Sequence, residues 1–244
     1  MLVTLTINGQ IIHVERETPI FEAAKKLGIP IPTLCHHEAL KPYGSCRLCT
    51  VEVVKNKWPK LVTSCNYPAE DGLEVKTDTD RVKRTRKMVM ELLLARCPHV
   101  PAIQQLAQKM GVKTSQFKKK GDEQCILCGL CVRVCDEIVG VRAIGFVGRG
   151  TEREMNTPFG IESDTCIGCG ACTYICPTSY IEMVERPDAP GGRSLNKGEL
   201  TLDSCPNSYV CENCDREQQF LLETMQVIEK FRRENEKRRS EQKV

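Results

Sequence analysis

Apolar and polar residues alternate over residues 2–7 and again over residues 10–14, with Asn8-Gly9 between the two runs. This predicts a hairpin: alternation turns one face of each strand to a core, and Asn-Gly takes the left-handed backbone of a tight turn. Thr18 then reads as a helix N-cap with Pro19 at the first helical position, opening a short helix over residues 21–27 that Gly28 stops. Ile29-Pro30-Ile31-Pro32 is extended and delivers Cys35 into a loop. Further short strands are expected over residues 48–54, 61–65 and 73–76.

Two strands, a helix and more strands describe a ubiquitin-like (β-grasp) module. The pattern changes to helical spacing over residues 78–96, where Val82, Met88, Val89, Leu92 and Leu93 form an apolar stripe. Arg81, Lys83, Arg84, Arg86 and Lys87 form a basic face on the same helix. Pro98 ends that helix, and a second is expected over residues 102–110, closed by Gly111. Residues 118–121 read as a polar linker and 187–198 as a loop. From Arg216 onward the chain reads as a charged, amphipathic helix, with Phe220, Val227 and Phe231 beside Leu221, Met225 and Ile228. The expected class is α+β in four parts: residues 1–78, a helical connector 79–121, residues 122–186, and a tail 187–244.

Cysteine usage decides what these parts are for. The chain has 244 residues, and 16 are cysteine, while aromatic residues make up only 5%. The N-terminus lacks the long apolar core of a secretory signal, and no run approaches the roughly eighteen apolar residues of a membrane span. The expectation is therefore a cytoplasmic chain without membrane insertion, whose cysteines are thiols or metal ligands rather than disulfides. The net charge of +3 is weak evidence for nucleic acid, because metal-bound thiolates would offset it. No aromatics interleave the basic helix as a single-strand platform requires, so no nucleic-acid partner is expected.

The sharpest pattern is a pair of runs, Cys125-x2-Cys128-x2-Cys131-x3-Cys135 and Cys166-x2-Cys169-x2-Cys172-x3-Cys176-Pro177. In two-cluster ferredoxin spacing the fourth cysteine of each run serves the other cluster. Cys125, Cys128, Cys131 and Cys176 are thus assigned to one [4Fe–4S] cluster, and Cys166, Cys169, Cys172 and Cys135 to the other. Cys135 is followed by Asp136 instead of Pro. Zinc knuckles are the competing reading, although their cysteine pairs are normally set further apart. Inside the first module stands Cys35-x10-Cys46-x2-Cys49-x15-Cys65, a [2Fe–2S] set whose first gap is longer than the plant-type one; a four-cysteine zinc site uses the same ligands. His36 and His37 read as exposed loop residues.

With these motifs over residues 1–185, the chain resembles the small diaphorase-type iron–sulfur subunit of NAD-reducing hydrogenases. It is equally similar to the N-terminal iron–sulfur region of the complex I large subunit and of iron-only hydrogenases. The stretch from Cys125 to Cys135 followed by Gly145-Phe-Val-Gly-Arg-Gly150 is a specific part of the likeness. The resemblance implies an electron-transfer subunit between a flavin/NAD(P)H-binding subunit and a second redox subunit, such as a hydrogenase or formate dehydrogenase. That family normally carries His-x3-Cys-x2-Cys-x5-Cys between the two modules, and the corresponding segment here offers only Cys97 and His99.

The cysteines left over are Cys97, Cys205, Cys211 and Cys214, the last three spaced x5 and x2 in mirror image of the missing motif. They form a candidate fourth centre, a [4Fe–4S] cluster or zinc, with His99 as a substitute ligand. Neither a dinucleotide fingerprint in strand–helix context nor a phosphate loop is present, and no nucleophile–base pair stands out. Gly145-x2-Gly148-x-Gly150 reads as a turn between short strands. An iron–sulfur subunit of a succinate dehydrogenase or fumarate reductase is an alternative, and a zinc-rich non-redox binding protein is another.

Overall fold

The computed structural model describes residues 1–55, 57–118, 121, 123–161, 163–185 and 193–197, together with Met225, Gln226, Ile228, Glu229 and Arg233. It divides into two compact units, Met1–Cys128 and Gly129–Val244.

In the first unit, β1 (Leu2–Ile7) and β2 (Gln10–Glu15) pair antiparallel in the register Ile7↔Gln10, closed by Asn8 and Gly9 in left-handed backbone. This is the expected hairpin. α1 (Ile20–Lys26) follows, then β3 (Thr50–Lys55), β4 (Trp58–Thr63) and β5 (Leu73–Lys76). The sheet order is β2-β1-β5-β3-β4, with β1 and β5 parallel at its centre. That crossover topology is the β-grasp, in which α1 covers one face. Leu5, Ile7, Val51, Val53, Leu73 and Val75 supply the sheet side of the core, and Ile20, Ala23 and Ala24 the helix side.

Several local expectations are corrected. Thr18 does not cap α1, whose N-cap position is Pro19. The first helical amides instead donate to carbonyls across the fold, Ile20 to Tyr67 and Phe21 to Ser64, both at 2.9 Å. Tertiary acceptors thus satisfy the helix end that a local side chain would otherwise serve. β3 sits one or two residues and β4 two or three residues from their expected bounds, because the hairpin register runs from Thr50↔Thr63 to Lys55↔Trp58.

α2 (Asp80–Arg96) is capped by Thr79, whose Oγ1 accepts from the Val82 amide, and α3 (Pro101–Lys109) follows. The buried residues of α2 are Val82, Met90, Glu91 and Ala95, whereas Met88 and Leu92 are about half exposed. The buried stripe thus lies one step round the helix from the one its periodicity predicts, since the core-facing position between Val82 and Met90 is Arg86.

Among its described residues the second unit is built of short elements. α4 (Leu130–Arg133) runs into a π-turn over Val134–Val139. β6 (Gly145–Val147) pairs with β7 (Glu154–Asn156), as the glycine-rich turn implied. α5 (Ala171–Tyr174) leads to β8 (Ile181–Glu185), which pairs antiparallel with β9 (Arg193–Lys197). The segment expected as a loop over residues 187–198 therefore contains a strand, chosen by backbone pairing with β8. The C-terminal helix expected from Arg216 lies outside the described residues, except that Met225, Gln226, Ile228, Glu229 and Arg233 are helical. Among the described residues no helix is long and apolar enough to cross a membrane.

Candidate metal centres

The sheet brings Cys35, Cys46, Cys49 and Cys65 together, all buried. Cys49 enters β3 and Cys65 lies just past β4, so the Thr50↔Thr63 register sets both at one end of the hairpin. Ser64 locks that end, donating to the Cys49 carbonyl from its amide at 3.1 Å and from its hydroxyl at 2.8 Å. Cys46 hangs on a turn where Gly44 has φ +78°, and an added Cβ would meet the Asn66 Nδ2 at 2.8 Å, so only glycine fits without displacement. The Cys46 amide donates to Cys35 Sγ at 3.3 Å, and the Leu34 amide to Cys46 Sγ at 3.4 Å.

Contact with the Cys46 and Cys65 thiols draws the Cys35 thiol well below its ordinary value. Contact with Cys65 brings Cys49 down to about 6. The same contacts push Cys46 and Cys65 up. Without cations, four crowded thiols thus share protons, two giving and two receiving. Iron among them would allow all four to be thiolates at once.

His36 is not an exposed loop residue. Its Nε2 lies 2.9 Å from Glu22 Oε1 and its ring packs on Phe21 at 4.5 Å, so that nitrogen is engaged away from the thiols.

In the second unit, Cys135, Cys166, Cys169 and Cys172 line a single small cavity of about 20 Å³ whose other walls include Val139, Ile144, Ile167 and Met183. These four cysteines are the set that sequence spacing grouped. The π-turn presents Cys135: the Gly140 amide donates to its carbonyl at 2.9 Å, and the Ala143 amide to its Sγ at 3.2 Å. Such turns inside helices recur at functional sites. Burial pushes the Cys135, Cys169 and Cys172 thiols up, so a metal would have to displace their protons on binding.

Cys125 and Cys128 belong to the first unit, and Cys131 and Cys176 to the second. The two cysteine runs repeat one backbone pattern. Leu127 and Gly168, each just before the second cysteine, are left-handed at φ 54° and 67°. Gly129 and Gly170, just after it, are left-handed at 78° and 80° and cap α4 and α5. A leucine in that conformation costs about 1–2 kcal/mol, so the loop shape is imposed despite its side chain. Within the first unit, Arg96 Nε donates to the Cys125 carbonyl at 2.7 Å and Ser45 Oγ to the Leu127 carbonyl at 3.1 Å. The second bond joins the loop of Cys46 to the loop of Cys125 and Cys128.

Cys97 closes α2, fully buried, with its thiol pushed up to about 12 mainly by burial. Cys205, Cys211 and Cys214 lie outside the described residues. Among the described residues, no three or more His, Cys, Asp or Glu are drawn tightly enough around one point to grip a lone metal ion. The all-cysteine donor sets, a cavity walled by four of them, and amides aimed at sulfur suit iron–sulfur groups.

Two family models match: a 2Fe-2S iron-sulfur cluster binding domain over residues 1–80, and a 4Fe-4S dicluster domain over residues 124–180. The NADPH-Fe(3+) oxidoreductase subunit alpha of Geobacter sulfurreducens is 35% identical over 216 residues, covering 79% of this chain and 25% of its own length. The NADH-ubiquinone oxidoreductase 75 kDa subunit of Reclinomonas americana is 34% identical over 180 residues, 64% of this chain and 26% of its own. The chain thus spans about a quarter of the length of these curated relatives. A chain in the crystal structure of an NAD+-reducing [NiFe]-hydrogenase in the H2-reduced state is 30% identical with a TM-score of 0.56. The match covers 64% of this chain and 74% of that one. The fold and sites define a protein of tandem 2Fe-2S and 4Fe-4S ferredoxin-type modules. The chain belongs to the family of iron–sulfur subunits found in NADH and NADPH oxidoreductases and NAD+-reducing hydrogenases.

Proposed function

We propose that this chain is the electron-transfer subunit of a multisubunit oxidoreductase. It would pass single electrons between a flavin/NAD(P)H-linked subunit and a second redox subunit, such as a hydrogenase or formate dehydrogenase. In this reading Cys35, Cys46, Cys49 and Cys65 hold one [2Fe–2S] cluster. Cys125, Cys128, Cys131 and Cys176 hold one [4Fe–4S] cluster, and Cys135, Cys166, Cys169 and Cys172 the other. When bound, these groups supply reversible one-electron oxidation and reduction without bond chemistry in the protein.

The observation that carries the reading is the Ser45–Leu127 hydrogen bond at 3.1 Å, which joins two cysteine-bearing loops. Adjacent loops of this kind are what a relay needs and a set of isolated structural metal sites does not. Match of both cysteine modules to iron–sulfur domain models favours a relay over a zinc-rich binding protein. The partners are supported by the relatives' own names, which include an NADPH-linked and an NADH-linked oxidoreductase. Thiol-rich composition supports a reducing compartment, the cytoplasm. Residues 1–78, 79–121, 122–186 and 187–244 remain the proposed division of labour, with the charged C-terminal tail docking to a partner subunit.

Cys97 with Cys205, Cys211 and Cys214 is proposed as a fourth centre, a [4Fe–4S] cluster or zinc. Anaerobic reconstitution of the full chain tests the whole assignment. About ten iron atoms per chain are expected from three clusters, and about fourteen if the fourth is a cube. Reducible paramagnetic signals of both cluster types should accompany them. Stoichiometric zinc in place of iron, with no such signals, would overturn the relay.

A further inference from the structure

Arg86 stands on the buried side of α2, four residues from Val82 and four from Met90, both fully buried. A position at that spacing is ordinarily apolar. Its Nε donates to the carbonyl oxygen of Thr50 at 3.0 Å, and Thr50 is the residue that follows Cys49. Its Nη2 is buried and has no hydrogen-bond partner among the described residues. Two groups that can be anionic act on it at longer range, Cys49 and Asp78, while burial draws the guanidinium below its ordinary value. Asp78 is largely exposed and paired with Lys83 at 3.0 Å. The interior anion that remains is Cys49. Arg86 is half-buried with its Nη2 sealed from water, and a guanidinium so placed gains from a compensating negative charge nearby.

We propose that Arg86 is the built-in counter-cation of the Cys35–Cys46–Cys49–Cys65 site and raises its affinity for an electron. The inference rests on the reading that these four cysteines hold a [2Fe–2S] cluster. Four thiolates and two sulfides outweigh the charge of two irons, so the site is anionic, and each electron taken up adds one further negative charge. A guanidinium does not titrate in a protein, so the compensation is permanent and draws no proton. In the poorly screened interior it favours the reduced form over the oxidised one. The electron comes from the flavin-linked subunit, or from dithionite in the test, and no bond is made or broken.

The experiment is a redox titration of the full chain, reconstituted anaerobically and followed by electron paramagnetic resonance, for wild type, R86K and R86Q. Glutamine keeps N–H groups for the Thr50 carbonyl but carries no charge, whereas lysine keeps the charge. R86Q is expected to shift the [2Fe–2S] equilibrium tenfold or more against reduction, a fall of about 59 mV for one electron. R86K should move it by less than half as much, and the [4Fe–4S] midpoints should stay where they are. An unchanged midpoint in R86Q overturns the proposal, and so do equal falls in both variants, because shape and not charge would then be acting. Should R86Q fail to hold the centre while R86K holds it, the charge requirement stands at assembly; failure of both overturns it. Absence of any [2Fe–2S] signal in the wild type is a different result, which sinks the ligand assignment itself.

Discussion

The thiols around Cys35 and the thiols around Cys135 are held by different physics. The first four sit at the rim of a five-stranded sheet whose core, from Val3 to Val75, contains only two cysteines among its 15 buried residues, Cys49 and Cys65. The second four line a cavity in a unit where α4 and α5 are four residues each and β6 and β7 three each. Long-range sheet pairing organises the first site before any metal arrives. In the second, Cys135 meets a loop that begins at Cys166, and burial raises three of the thiols, as contact raises Cys46 and Cys65 in the first. The first unit thus has an apolar core that extends well beyond its thiols, whereas in the second Val139, Ile144, Ile167 and Met183 gather at the cysteine cavity itself.

Iron removal gives the largest contrast. After chelation, amides over residues 130–183 should lose hydrogen-exchange protection, a loss of folding free energy on the order of 10 kcal/mol. The β1, β3 and β5 amides should keep most of theirs. Equal collapse of both units would break the comparison. Next in size, Leu5→Ala or Ile7→Ala should cost the sheet about 2–5 kcal/mol in urea unfolding, because both side chains are fully buried. The second unit's cluster spectra should be unaltered by either change.

A pH series sharpens the contrast further. In the metal-free sheet, Cys49 is drawn down to about 6 from 9.0 by its contact with Cys65. A depressed thiol binds fewer protons folded than unfolded between those values, so its stabilisation is fully present above 9.0 and lost as pH falls through about 6. The urea midpoint of the metal-free sheet should therefore climb from pH 6 to pH 9. Cys49→Ser should lessen that rise and leave the part that the depressed Cys35 thiol contributes. Smallest of all is the surface ion pair of Lys55 with Glu70, which holds Glu70 below the ordinary carboxylate range. Its help is present above that range and lost as acid protonates Glu70 through its lowered value. Solvent screening keeps it slight, so Glu70→Gln should move the melting temperature less than any other change here.

Much of this was legible in the residue order. Asn8-Gly9 fixed a hairpin because two left-handed residues admit few alternatives, and the x2-x2-x3 spacings grouped Cys135 with Cys166, Cys169 and Cys172, the residues that share a cavity. Arg86 was not legible. In a periodicity reading a cation between Val82 and Met90 looks like part of the solvated basic face, and only its bond to Thr50 reveals that it points inward. The cap of α1 was hidden for a related reason: the carbonyls of Ser64 and Tyr67 serve it from more than forty residues away, where a local pattern carries no signal. The pairing of β9 with β8 is equally non-local.

By itself, then, the sequence determined the parts that depend on neighbours along the chain: the alternation of β1 and β2, the left-handed turns, and the cysteine spacings that match iron–sulfur ligation. The tertiary structure decided what depends on neighbours in space. It set the order β2-β1-β5-β3-β4, closed the four thiols around Cys35, joined Ser45 to Leu127, and turned Arg86 inward to the Thr50 carbonyl. The physical reason is range. Backbone conformation and loop closure are settled over a few residues, whereas burial and charge pairing are settled only when distant segments exclude water together.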